Sequence, residues 1–124
     1  MNKKIARFIE WIGDGEISGK LYDMGDYPAA IPDKENERNV ISGAIMKINQ
    51  PAIVLKMLDD YEGCIPGNET ESEYCRKNER VVLKDGRILY AWVYWYLGKV
   101  SDSKRINEKD YLNYLKKIPG KTGL

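Results

Sequence analysis

The 124 residues, read as one domain over 1–124, carry 20 basic and 19 acidic side chains and a net charge of +1. That balance lacks the positive field with which nucleic-acid binders neutralise phosphates, so no nucleic-acid partner is expected. Histidine is absent, which excludes Ser-His-Asp triads, Cys-His dyads and most catalytic zinc sites, and leaves carboxylate, lysine, tyrosine or thiol for acid–base work.

Ile5, Phe8, Ile9 and Ile12 recur at i, i+3, i+4 and i+7, the stripe of a short amphipathic helix that Gly13-Asp14-Gly15 would end. From Glu16 to Asp23 the pattern changes to period two, with Ile17, Gly19 and Leu21 on one face, and this predicts a strand. Gly25-Asp26-Tyr27-Pro28 punctuates it, and the charged run Asp33 to Asn39 reads as an exposed loop. Val40 to Ile48 is the next strand.

Asn49 or Gln50 can cap a helix whose first-turn Pro51 has no amide hydrogen to lose. Val54, Met57, Leu58 and Tyr61 would supply its buried side, and Gly63 would stop it. Cys64 to Glu73 is a loop by composition. Tyr74 to Leu83 and Ile88 to Leu97 flank Lys84-Asp85-Gly86-Arg87, a strong hairpin signal. The second of these strands is apolar on both faces, which predicts a central strand or a barrel wall. Asn107 with Asp110 opens a last helix, packed through Tyr111, Leu112 and Leu115 until Pro119-Gly120.

No apolar run approaches the roughly 18–20 residues that cross a bilayer, and Met1-Asn2-Lys3-Lys4 does not lead into a signal-peptide core. A cytoplasmic location with no membrane partner is expected, and Cys64 and Cys75 read as free thiols. Lys116, Lys117 and Lys121 read as a solvated end of the chain.

Three segments, in order and spacing, carry a resemblance. They are Gly19-Lys20-Leu21-Tyr22-Asp23-Met24-Gly25-Asp26-Tyr27-Pro28-Ala29, Met57-Leu58-Asp59-Asp60-Tyr61-Glu62-Gly63, and Glu73-Tyr74-Cys75-Arg76 continuing through Ala91-Trp92-Val93-Tyr94. Over roughly residues 5 to 115 the chain resembles the γ-glutamylcyclotransferase-like, or AIG2-like, proteins. The resemblance implies an α+β fold, a small mixed β-sheet or barrel with flanking helices, in which Glu62 ends a helix and faces a polar cavity. It also implies release of 5-oxoproline from a γ-glutamyl-amine without metal or cofactor.

The chemistry of a lone carboxylate fits that reaction. The substrate's α-ammonium must lose a proton before its nitrogen attacks the γ-carbonyl, and the departing amine must gain one. A partly buried glutamate, its pKa raised by desolvation, can do both. The plain structural alternative is a solvated carboxylate at a helix C-terminus, where the macrodipole offers it nothing. Tyr94 matches a family position beside the cavity, and Tyr74 with Arg76 matches the Tyr-x-Arg strand start. Core packing for Tyr94 and Tyr74, and an ion pair for Arg76, are the structural alternatives. Gly25 and Tyr27, with Pro28, are expected to shape the substrate-binding wall, or merely the turn.

One family signature, an opening strand with Tyr-Gly-(Ser/Thr)-Leu, has no counterpart ahead of Ile5. A shortened copy, a strand borrowed from a partner, and a rearranged sheet are the three explanations. Three functional readings stay open: a cyclotransferase with Glu62 as general acid–base, a non-catalytic member that binds a small ligand or a protein partner, and a homodimer formed through an open sheet edge.

Overall fold

The computed structural model describes residues 7–36 and 38–117. They form β1 (Ile9–Ser18), β2 (Lys20–Asp23), β3 (Pro28–Ile31), β4 (Val40–Ile48), α1 (Pro51–Glu62), β5 (Tyr74–Leu83), β6 (Ile88–Tyr96), β7 (Arg105–Ile106) and α2 (Tyr111–Lys117), with short 3-10 turns at Glu69–Glu71 and Asp102–Lys104. The fold is α+β. One sheet runs in the order β4-β1-β5-β6 and the other in the order β3-β2-β7. Every ladder described is antiparallel, and among the described residues the sheets do not close into a barrel.

The N-terminal helix read from the sequence is instead a strand. β1 pairs along its whole length with β4, and its register shifts between Trp11 and Gly13. That bulge inserts one extra residue, so a three-residue step brings Ile9 and Ile12 to the same apolar cavity. The spacing that imitates a helical stripe is therefore a bulged strand. Ile5 lies outside the described residues.

The strand expected from Glu16 to Asp23 is divided at Gly19, where the chain passes from one sheet to the other. A Cβ at Gly19 would lie 2.8 Å from Ile41 Cδ1 and 3.1 Å from the Ile31 carbonyl oxygen, so only glycine fits between the sheets there. β4 and the β5–β6 hairpin match the sequence reading, with Gly86 at φ +90 in the turn.

β6, however, ends its sheet rather than occupying the centre. Its apolar faces have other uses. Trp95 is buried, β3 packs against the strand, and residues 89–94 wall a cavity. Leu21, Tyr22, Ala29, Val81, Leu83 and Ile106 are also buried, and fully burying a side chain such as Val54 or Val81 contributes about 1.5–3 kcal/mol.

α1 starts at Pro51 and ends at Gly63, which adopts φ +67. The Gly63 and Cys64 amides donate to the Asp60 and Asp59 carbonyls, a Schellman closure. At the other end the Gln50 side chain makes no capping bond; its carbonyl takes the Ile53 and Val54 amides instead. Tyr61, expected on the packing side, is 82% exposed. In α2 the cap comes from Asp110, whose Oδ1 accepts the Leu112 amide at 2.7 Å. Leu115 is buried but Leu112 is exposed. Pro119-Gly120 lies outside the described residues. The loop from Asp33 is ordered around the buried Asp33 carboxylate, which accepts from the Asn36 amide and the Asn39 side chain.

Candidate active site

Because α1 repeats every 3.6 residues, Leu55, Leu58 and Glu62 share one face, and all three line a cavity of about 690 Å3. β1 contributes Ile9, Ile12 and Ile17, and β4 contributes Ile45 and Met46. The polar cavity implied by the family resemblance is thus walled mostly by hydrocarbon. Glu62, the last residue of α1, is half-buried there. Loss of water pushes its carboxyl above the usual glutamate range, and the Glu73 carboxylate adds to the shift.

Glu73 reaches this position through backbone pairing. Its amide donates to the Gly63 carbonyl at 2.8 Å, and its own carbonyl accepts the Leu97 amide at 2.9 Å. Tyr74, which begins β5, packs its ring 5.3 Å from that of Tyr96. The Tyr74 hydroxyl is pushed up to about 12 by burial and then by Tyr27, Glu62, Glu73 and Tyr96. Tyr27 is raised by desolvation and then by Tyr96 and Glu73. The charged or titrating groups that raise Glu62, Tyr27 and Tyr74 are carboxylates and tyrosines.

Tyr94 lines the same cavity, but its hydroxyl donates to Asp59 Oδ1 at 2.6 Å. Arg76 donates from Nε to the same oxygen at 2.8 Å and from Nη2 to Oδ2 at 3.2 Å. Burial alone would raise the Asp59 carboxyl; the bonds from Arg76 and Tyr94 and the Arg76 charge outweigh it and hold the group below the usual range. Burial and the bond to Asp59 push the Tyr94 hydroxyl up. Arg76 also lies 4.4 Å over the Trp92 ring, a cation–π contact that braces the cavity wall.

The structure therefore places Glu62 and Tyr94 in the cavity, the Tyr94 hydroxyl engaged, whereas Tyr27 and Tyr74 are not part of its lining; Tyr74 feels the Glu62 carboxylate, and Tyr27 is linked to it through Tyr74 and Glu73. Gly25 sits in the β2–β3 turn at φ +99, where its amide donates to Asp23 Oδ1 at 2.8 Å, and it does not line the cavity. Sequence reasoning missed Asp59, Glu73 and Tyr96 as neighbours of these residues. No local spacing marks Asp59 as the partner of Arg76, because the two meet only when β5 is placed beside α1.

A larger cleft of about 1110 Å3 runs past Asp14, Glu16, Ser42, Lys84 and Lys109. Lys84 pairs with Asp14 at 3.8 Å and Lys109 with Glu16 at 3.4 Å, and Glu108 and Asp110 leave its lining with an acidic excess. Residues 2–113 match the model of the family described as gamma-glutamyl cyclotransferase, AIG2-like. The chain belongs to that family.

This AIG2-like chain is also similar to the crystal structure of an uncharacterised protein, PH0828, from Pyrococcus horikoshii. The match has 18% identity and a TM-score of 0.54, covering 85% of this chain and 73% of that one. At that identity the likeness concerns the fold. No curated protein matches the sequence significantly. Among the described residues of this family member, no helix is long and apolar enough to cross a membrane. Cys64 and Cys75 are both free thiols.

Proposed function

We propose that this protein is a cyclotransferase acting on a small γ-glutamyl-amine, with Glu62 as general acid–base. The observation that carries the reading is the half-dry Glu62 carboxyl at an apolar cavity, raised by burial and by the Glu73 carboxylate and, among the described residues, in no salt bridge. Such a group holds its proton more tightly than a solvated glutamate, and two carboxylates together favour the approach of an ammonium group.

In the reaction the α-ammonium gives one proton to Glu62. The freed nitrogen attacks the γ-carbonyl carbon, closing a five-membered ring through a new C–N bond. The original amide C–N bond then breaks as the leaving nitrogen takes the proton from Glu62, the ring nitrogen gives up its second proton to the released amine, and 5-oxoproline and an ammonium product result. No water is consumed, and because ring closure is intramolecular, positioning supplies much of the rate. In this reading Tyr27 and Tyr74 form the rim of the substrate site, Tyr94 forms part of its wall, and Gly25 shapes the turn leading to Tyr27.

A second reading, a non-catalytic small-ligand binder on the same fold, is favoured by one observation: the Tyr94 hydroxyl is already held by Asp59. The deciding experiment is 5-oxoproline release from a panel of γ-glutamyl-amines by the wild-type protein and Glu62→Gln. Turnover by wild type with a loss of at least about 100-fold in the variant is expected. Equal rates in the two refute the role of Glu62, and tight binding without turnover supports the binder.

A further inference from the structure

β6 ends its sheet, and its outer edge is built unlike the edge at the other end. The Leu83 amide donates to the Arg87 carbonyl at 2.8 Å and the Leu97 amide to the Glu73 carbonyl at 2.9 Å. Between them the β5–β6 register runs unbroken from Tyr74 opposite Tyr96 to Val82 opposite Ile88. In an antiparallel ladder, residues bonded to the neighbouring strand alternate with residues whose amide and carbonyl point away from it. The odd positions of β6 therefore serve β5, and Ile88, Tyr90 and Trp92 turn their backbone groups to the open side.

The side chains of these three share one face of the strand. All are exposed, Tyr90 by 70% and Trp92 by 47%. Edge strands that stay single are commonly blunted with charges, proline or bulges, and Ile88–Tyr96 carries none of these. β4, by contrast, presents the exposed Lys47, and its Ser42 amide is already taken by the Lys109 carbonyl at 2.9 Å.

An uncharged edge with its exposed residues at i, i+2 and i+4 is complementary to itself. A two-fold axis at Tyr90, perpendicular to the sheet, sets Tyr90 against the partner's Tyr90 and Ile88 against the partner's Trp92, and lets both strands exchange amides and carbonyls. Aromatic side chains bury about 150–250 Å2 each, so the exposed shares of Tyr90 and Trp92 in two copies remove roughly 500 Å2 from water. Ile88 and the two backbone edges bring the total toward the roughly 1,000 Å2 that a specific interface needs.

We infer that β6 is a dimerisation edge, at which a second copy of this chain adds its own β6 in antiparallel register about Tyr90. Residues 89–94 also wall the cavity at Glu62, so the partner's strand extends the rim of that cavity. The pairing itself does not depend on a reaction at Glu62.

Sedimentation equilibrium of the wild-type protein at micromolar concentration should give twice the mass of one chain. Tyr90→Lys, which sets like charges opposite each other at the axis, should give the mass of one chain with the wild-type circular dichroism spectrum. Tyr90→Cys reads the register. Residues opposite in a bonded pair have Cα atoms about 5.5 Å apart, within disulfide reach, so mild oxidation should link two such chains covalently. Ile88→Cys, which faces the partner's Trp92 rather than its own counterpart, should link at least about tenfold more slowly. Wild type, oxidised alongside, gives the background from Cys64 and Cys75.

A wild-type protein that sediments as one chain, a dimer that survives Tyr90→Lys, or equal linking by the two cysteine variants overturns the inference. Should Tyr90→Lys fail to fold, the two linking rates decide it alone. Because mass and linking are read without substrate, failure of the cyclotransferase reading leaves this result standing.

Discussion

Replacing Asp59 by alanine should be the most damaging single change near the site. Its side chain is 7% exposed and that of Arg76 18%, and the pair is joined by bonds of 2.8 and 3.2 Å. The substitution leaves the guanidinium without its carboxylate and the Tyr94 hydroxyl without the acceptor it now meets at 2.6 Å. Breaking a buried pair in this way costs about 3–5 kcal/mol. Arg76 keeps some contact with water and its stack on Trp92, so the lower end, about 3 kcal/mol, applies.

For a domain of this size that loss lowers Tm by about 10 °C, read by circular dichroism melts with urea midpoints alongside. The double variant Asp59→Leu/Arg76→Met should recover much of the loss, because replacing both charges with apolar groups strands neither. A melting temperature for Asp59→Ala within about 3 °C of wild type would refute the argument, since it would show that the triad is not a buried, mutually dependent unit.

Two further predictions concern the helix end and pH. Gly63→Ala should lower the urea-derived stability by about 1–2 kcal/mol, because a left-handed φ of +67 is strained for alanine and its Cβ would meet Glu73 Cβ at 3.3 Å; equal stability would contradict it. Asp59 has a depressed folded pKa, so the unfolded chain binds its proton more readily. Its contribution is therefore present above the ordinary aspartate pKa of about 3.9 and lost as pH falls through the lower folded value. Glu62 is raised, so its contribution has the opposite sign: present below the ordinary glutamate pKa and lost as pH rises through the folded value. Urea midpoints from pH 7 down to pH 2 should show Asp59→Asn removing part of the acid-side fall and Glu62→Gln reducing the loss on the alkaline side of the Glu62 titration. Slopes unchanged from wild type would contradict both assignments.

Much of the fold was legible where local chemistry and tertiary structure agree. Pro51 and Gly63 bound α1 because one lacks an amide hydrogen and the other accepts a left-handed φ. The Asp85-Gly86 step turns the hairpin. The reading failed where partners, rather than local pattern, decide. Ile9 and Ile12 look helical until β4 is placed beside them and the bulge accounts for the odd step. β6 looks central until its sheet is seen to end with it and its apolar residues are found walling a cavity.

The site divides in the same way. Glu62 is marked by its place at a helix end within a family motif, whereas its neighbour Glu73 is brought there only by the Gly63–Glu73 backbone bond. Arg76 was legible as a cation needing a partner; that the partner is Asp59, shared with Tyr94, depends on β5 and β6 packing against α1.

The reading of Glu62 as a proton carrier stands on its carboxyl being held partly away from water and beside another carboxylate. Carbon-13 NMR titration of glutamate-labelled protein, with the Glu62 signal assigned by Glu62→Gln, measures this directly. The account expects an apparent pKa above the ordinary glutamate range that moves down in Glu73→Gln. A Glu62 signal that titrates like a solvated glutamate, and is indifferent to Glu73→Gln, would contradict it.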